Sequence, residues 1–220
     1  REDEDANGMP DVDISITTRE LGRMIREAGI DFVNLPDEDF DPALGLGEST
    51  GAAVIFGVTG GVMEAALRTA YETLTGDTLL KVEFTDVRGI QGVKEATVNV
   101  KGMDVKVAVA HGMANARKLL DSVKNGEKEY HFIEVMGCPG GCVTGGGQPQ
   151  VHAQVRMDKD VWQLRANALY SEDEAKTLRK SHENPAIQKL YADYLGKPNS
   201  EKAHHLLHTH YQARPRYISK

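Results

Sequence analysis

Apolar and polar residues alternate through Val12-Asp13-Ile14-Ser15-Ile16, the period of a strand with one buried face. Thr17-Thr18-Arg19-Glu20 follows with the spacing of a capping box, and Leu21, Met24, Ile25 and Ala28 form the apolar stripe of a helix that Gly29 ends. Residues 36–50 are acidic, glycine-containing and aperiodic, which predicts a loop long enough to carry function. Residues 51–59 are apolar and partly β-branched and read as the end of a buried strand. Gly60-Gly61 then leads into a helix over 62–71 whose early turns carry small residues. A strand is expected over 79–87, and a hairpin over 96–100 and 105–110 around Lys101-Gly102-Met103-Asp104. A helix at 114–123 and a strand at 130–135 complete an α/β pattern that runs into Cys138. Beyond Pro149 the pattern becomes helical, at 161–170, 172–180, 184–195 with Pro185 in its first turn, and 201–211, with Gly196-Lys197-Pro198 as a break. The reading is α/β with a mixed sheet flanked by helices over residues 1–154 and an α-helical tail over 155–220.

Composition narrows the possibilities. The chain has 220 residues, 40% hydrophobic and 27% charged, enough for one substantial core. A net charge of −7 offers no basic excess for phosphates, so no nucleic-acid partner is expected. No apolar run approaches the roughly 18 to 20 residues of a membrane span, so no membrane partner is expected either. The opening Arg1-Glu2-Asp3-Glu4-Asp5 does not read as a signal peptide. The first methionine is Met9, which reads as the beginning of a fragment or of a trimmed mature chain. Only two cysteines are present, too few for a disulfide framework, which suits a reducing compartment.

Those two cysteines are the candidate chemistry. Cys138 and Cys142 lie four residues apart in a run with six glycines between Gly137 and Gly147. Were a helix to start at Pro139, both sulfurs would share a face near its partly positive N-terminus, which lowers thiol pKa. A redox dithiol normally has two intervening residues rather than three. A zinc site would want further ligands nearby, and only His152 is close. An iron–sulfur cluster suits the softness of the donors but needs four of them. Buried, inert cysteines are the remaining reading.

Two further groups stand out. The run Ile55-Phe56-Gly57-Val58-Thr59-Gly60-Gly61 has the form of a turn that could cradle an anion at a helix start. It lacks the dinucleotide spacing and the P-loop lysine, and close packing explains it more simply. His204, His205, His208 and His210 fall in the last helix. With no carboxylate or cysteine at a matching spacing, they read as surface or packed histidines.

The segment Glu134-Val135-Met136-Gly137-Cys138-Pro139-Gly140-Gly141-Cys142, continued to Gly145-Gly146-Gly147-Gln148-Pro149, resembles the third signature motif of the [FeFe] hydrogenases. Thr17-Thr18-Arg19-Glu20-Leu21, residues 56–65, Val87-Arg88-Gly89, residues 130–134, Lys180-Ser181-His182-Glu183-Asn184-Pro185 and the tail with His204 and Leu207-His208 are similar to stretches of the same enzymes in the same order. The resemblance implies reversible reduction of protons to H2 at an H-cluster, a [4Fe–4S] cube joined through a cysteine sulfur to a two-iron CO and cyanide subsite. It implies Cys138 as a cube ligand and Cys142 as the ligand that also bridges to the two-iron unit. Met136 would pack on that unit, with Phe56 and Gly57 in the pocket wall.

The resemblance also implies what the chain lacks. The other two cube cysteines, the proton-relaying cysteine and the cyanide-binding lysine belong to motifs upstream. This chain is therefore expected to be one lobe of a two-lobed domain, with its tail, and to be inactive and poor at holding iron alone. Its partners would be the missing upstream half and ferredoxin- or NAD(P)-linked electron-transfer domains or subunits. A tail continuous with the lobe resembles the cytoplasmic forms. The alternative is a non-catalytic iron–sulfur assembly or sensory relative that keeps the two cysteines.

Overall fold

The computed structural model describes residues 8–9, 12–38, 48–81, 83–89 and 92–208. Its centre is a three-stranded mixed sheet in the order β1-β2-β3, where β1 is Val93–Val100, β2 is Met103–His111 and β3 is Phe132–Met136. β1 and β2 form the expected hairpin, from Val93 opposite Ala110 to Val100 opposite Met103. Its loop is only Lys101-Gly102, both at positive φ (51° and 89°), the geometry that matches strand twist. β3 runs parallel to β2, from Val107 opposite Phe132 to His111 opposite Met136. The crossover between them is the helix Met113–Lys124, the expected one, which becomes α4 in chain order.

From Val107 to His111 β2 is buried on both faces, as the inner strand of a sheet covered by helices is expected to be. Val107 and Val109 point to one side, against Met63, Leu67 and Val87; Ala108 and Ala110 point to the other, against Ala116 and Leu119 of α4. Burying each such valine contributes about 1.5–3 kcal/mol. The first side is covered by α3, Gly61–Thr75, which ends at Gly76 with φ 69°, its N–H donating to the Glu72 carbonyl at 2.8 Å. A third cluster, Ile55, Val58, Val143, Ala166 and Tyr170, joins the segment before α3, the cysteine loop and the tail helix Val161–Ala175, which is α6.

The tail differs from expectation in detail. One helix, α6, replaces the two expected over 161–180; residues 176–180 leave it without regular structure. A short α5, Ala153–Asp158, precedes it. α7, Pro185–Leu190, is capped by the Asn184 side chain and runs into a π-helical turn, Tyr191–Leu195, before Gly196. α8 is Glu201–Leu207; residues 209–211 of the expected helix lie outside the described residues.

Three expected strands are not formed. Residues 12–16 have no regular structure and no ladder partner among the described residues, with Ile14 78% exposed, although the Thr17 capping box and helix α1, Thr18–Glu27, form as the spacing predicts. α1 buries none of its residues, so its apolar stripe faces outward. Residues 51–59 are a helical turn α2, Gly51–Val54, followed by a 3-10 turn Ile55–Gly57. The Thr50 hydroxyl starts this turn by accepting the Ala53 N–H at 3.2 Å, and local capping prevails over β-branched composition. The described residues of 79–87 carry only a 3-10 turn, Thr85–Val87. Of the expected loop 36–50, residues 36–38 and 48–50 have no regular structure and 39–47 lie outside the described residues.

Candidate functional site

The cysteine loop leaves the sheet at the end of β3. The Gly112 N–H donates to the Met136 carbonyl at 2.8 Å and fixes where the strand stops. No α-helix begins at Pro139, so the shared helical face expected for the sulfurs is not formed. The chain instead turns through Cys138–Gly141, with the Gly141 N–H on the Cys138 carbonyl at 3.1 Å, and then makes a 3-10 turn, Cys142–Thr144. Gly140 and Gly141 have φ of 83° and 100°, which L side chains rarely adopt. The Gln148 amide donates to the Cys142 carbonyl at 3.1 Å and closes the loop from its far end. Cys138 and Cys142 are both exposed and unbridged, which sets aside the reading of buried, inert thiols.

The wall expected at Phe56 and Gly57 lies directly against this loop. The Thr59 N–H donates to the Gly140 carbonyl at 3.1 Å. A Cβ on Gly141 would stand 2.7 Å from the Gly57 carbonyl oxygen and the Thr59 nitrogen, so the two backbones touch with no room for a side chain. Phe56 is 46% exposed and Met136 half-buried. The structure thus brings Phe56–Gly57 and the Met136–Cys142 segment together. No Cβ-sized obstacle stands at Gly137 or Gly146, where the loop faces open space.

Three polar side chains that sequence reasoning missed hold this arrangement. The Glu134 carboxylate, buried in β3, accepts the Gly60 N–H at 2.6 Å and the Met63 N–H at 2.7 Å, the free donors at the start of α3. The turn does bind an anion, and the anion is this side chain. Close packing also holds: a Cβ on Gly61 would lie 1.7 Å from the Ile55 carbonyl oxygen. Lys94, buried in β1, donates to the Thr59 and Gly89 carbonyls, each at 2.8 Å. Burial pushes its amine down to about 8, against the opposing pull of Glu134. His111, buried at the end of β2, accepts the Gly140 N–H on Nδ1 at 2.7 Å. The available signal was a charged residue at an inward position of a strand, as at Glu134, which is buried only when it has partners.

Among the described residues, His204, His205 and His208 belong to no group with metal-ligand spacing. The His204 and His208 rings lie 4.3 Å apart between centroids, tilted and exposed, and His210 is outside the described residues. Among the described residues, the cluster with metal-ligand spacing is Glu72, His182 and Glu183. The Lys180 ammonium already bonds both carboxylates there, at 2.6 and 2.9 Å. The donor set that suits a soft metal is therefore the pair of exposed thiols on the glycine loop. Two sulfurs, open approach at Gly137 and Gly146, and a half-buried thioether beside them fit an iron–sulfur group that draws its other ligands from elsewhere.

Residues 1–146 match the family model for the iron-only hydrogenase large subunit, C-terminal domain, and residues 159–214 the model for the iron hydrogenase small subunit. Over 210 residues the chain is 60% identical to the NADP-reducing hydrogenase subunit HndD of Solidesulfovibrio fructosivorans, covering 96% of this chain and 35% of that protein. It is 33% identical over 208 residues to cytosolic iron-sulfur assembly component 3 of Rattus norvegicus, covering 92% of this chain and 42% of that one. A solved structure describing stepwise H-cluster assembly in an [FeFe]-hydrogenase, HydA, superposes with a TM-score of 0.71 at 41% identity, covering 94% of this chain and 57% of that one. The chain spans less than half the length of these curated relatives.

Proposed function

Because the chain belongs to the iron-only hydrogenase family, we propose that it forms the Cys138–Cys142 side of an H-cluster site that interconverts protons and H2. When bound, the cluster would pass electrons received from a partner to protons at its metal site. The chain's own residues have simpler tasks. Cys138 and Cys142 would provide two thiolate ligands to that group, with Cys142 the one that would also serve its two-iron unit. Met136, Phe56 and Gly57 give that unit a wall of low polarity that keeps water out and backbone close. The remaining ligands come from an upstream half, which the relatives' greater length leaves room for. Electrons arrive through ferredoxin- or NAD(P)-linked domains or subunits, the latter suggested by the name of the HndD relative. The division into a lobe, 1–154, and a small-subunit-like tail, 155–220, belongs to the same proposal, as does a cytoplasmic location. Among the described residues no helix is long and apolar enough to cross a membrane.

The observation that carries this reading is the contact between the two-cysteine loop and the segment 56–59, made by the Thr59 N–H on the Gly140 carbonyl and the close approach of Gly141 to Gly57, with both thiols open to a ligand. Its test is anaerobic assembly of the chain with its upstream half and a complete maturation system. H2 evolution that is lost in both Cys138→Ala and Cys142→Ala supports the proposal. The chain by itself is expected to hold less than a full four-iron cluster; a stable one on the isolated monomer would count against the divided site. A second reading, a non-catalytic iron–sulfur assembly role, is favoured by the 33% identity to the assembly component. Full iron loading with no H2 evolution in the assembled protein would select it.

A further inference from the structure

Gly140 is the midpoint of the Cys138–Cys142 loop, and its peptide groups are gripped from two directions. Its carbonyl accepts the Thr59 N–H from the wall at 3.1 Å; its N–H donates to His111 Nδ1 at 2.7 Å from the sheet. His111 is itself fixed. Its N–H donates to the Gly92 carbonyl at 3.0 Å, its carbonyl accepts the Asn115 side-chain amide at 2.9 Å, and it lies opposite Met136 in the β2–β3 register. Only 6% of the residue is exposed, so water cannot readily take over the acceptor's place. Accepting on Nδ1 requires the neutral ring with its proton on Nε2.

We propose that His111 is a positioning residue for the two cysteines, setting the turn between them through Gly140 before any iron arrives. The proposal rests on the reading of Cys138 and Cys142 as ligands. A buried N–H that loses its partner must find another or rotate out, and rotating the Pro139–Gly140 peptide changes the Gly140 torsions that aim its carbonyl at the Thr59 N–H. The orientation of both thiols relative to Phe56 and Gly57 therefore depends on one imidazole. The sequence hides this, because His111 sits 29 residues upstream, after the apolar run Val107-Ala108-Val109-Ala110.

Chemistry supplies a selective test. The side-chain oxygen of asparagine reaches roughly where Nδ1 stands and can accept the same N–H; glutamine is one methylene too long, and leucine fills space without accepting. In the full chain without iron, His111→Leu is expected to speed exchange of the Gly140 amide about tenfold. The same variant should change the ratio of Cys138 to Cys142 alkylation rates, with the Val107 and Val109 amides of β2 unaffected. His111→Asn should restore both readings and His111→Gln should not. Unchanged Gly140 exchange in His111→Leu, a uniform rise across the protein, or equal behaviour of the Asn and Gln variants would overturn the proposal. If the leucine variant does not fold, the Asn–Gln comparison decides alone. Iron uptake by the wild-type protein assembled with its upstream half is measured separately. Its failure, with Gly140 responding as expected, supports the positioning role and counts against the ligand reading alone.

Discussion

Glu134 stands at a strand position where the pattern asks for an apolar side chain, and it is the most buried residue of β3. Its carboxylate meets the two free N–H groups at the start of α3, donors 74 and 71 residues away in sequence. Hydrogen bonds to a charged acceptor are worth about 1.5–3 kcal/mol each, and a helix N-terminus adds a favourable dipole. Glu134→Gln keeps the shape but loses the charge and leaves an amide group facing an N–H donor. Its expected cost is about 2–3 kcal/mol of stability in urea unfolding. The same substitution removes the nearby charge that holds the Lys94 amine up, so Lys94 should titrate below its present value of about 8. Side-chain NMR of the lysine would read this, and an unchanged Lys94 titration would mean that the two groups do not interact. Cys138 and Cys142 were legible because residue type alone points to their chemistry. Glu134, Lys94 and His111 were not, because each owes its role to partners that only the fold brings near.

Elements were legible where their signals are local. The Thr17 box, the glycine-containing turn of the hairpin, the glycine stop of α1 and Pro185 at the start of α7 depend on neighbours within a few residues, and each behaves as read. Strands at 12–16 and 79–87 were misjudged because a strand needs a partner, which alternation cannot supply. The segment 51–59 was misjudged because the Thr50 cap outweighs its composition. The junction between α3 and the tail shows how an element interaction responds to pH. Glu72 in α3 accepts from Lys180 at 2.6 Å and pairs with His182 Nε2 at 2.7 Å. The Lys180 hydrogen bond is the largest cause of its carboxyl lying at about 2 instead of the usual 4.5. With the folded value depressed, this contribution is present above pH 4.5 and is lost as pH falls from 4.5 toward 2. The shift alone corresponds to roughly 3 kcal/mol, and screening by water on the outer side reduces the expected contribution to about 1–2 kcal/mol. Stability followed in urea across that range should fall in the wild type, and the fall should be shallower in Glu72→Gln. Parallel curves would remove Glu72 from the account.

At the scale of the whole molecule, the regions that match separate large-subunit and small-subunit models are joined by a buried charge network. Arg68 of α3 is fully buried, bonded to Glu64 at 2.7 Å and to both oxygens of Asp173 in α6 at 2.8 Å. Arg88 completes the Glu64 pair, and Arg179 bridges Asp173 to Glu83. Burial alone would raise the Asp173 carboxyl; the hydrogen bonds from Arg68 and Arg179 outweigh it and hold the group below its ordinary value. α2 comes so close to α6 here that a Cβ on Gly51 would stand 1.9 Å from the Asp173 carboxylate. The tail is thus part of the lobe's interior rather than a wrapping on it, and the two should unfold together. Asp173→Ala leaves Arg68 buried with one of its two acidic partners gone, and removing one member of a buried pair costs about 3–5 kcal/mol. Replacing Arg68 by Met and Asp173 by Leu together removes both charges from the interior and leaves Glu64 with Arg88 and Arg179 with Glu83. The double variant should therefore regain much of what the single variant loses, since apolar replacement of a buried pair is often neutral. Calorimetry of the three proteins gives the comparison. One cooperative transition in each, with the double variant nearer the wild type, is the expected pattern. Two separate transitions in the wild type would instead make lobe and tail independent, and a double variant no better than Asp173→Ala would mean that the network stabilises through its geometry and not through charge compensation.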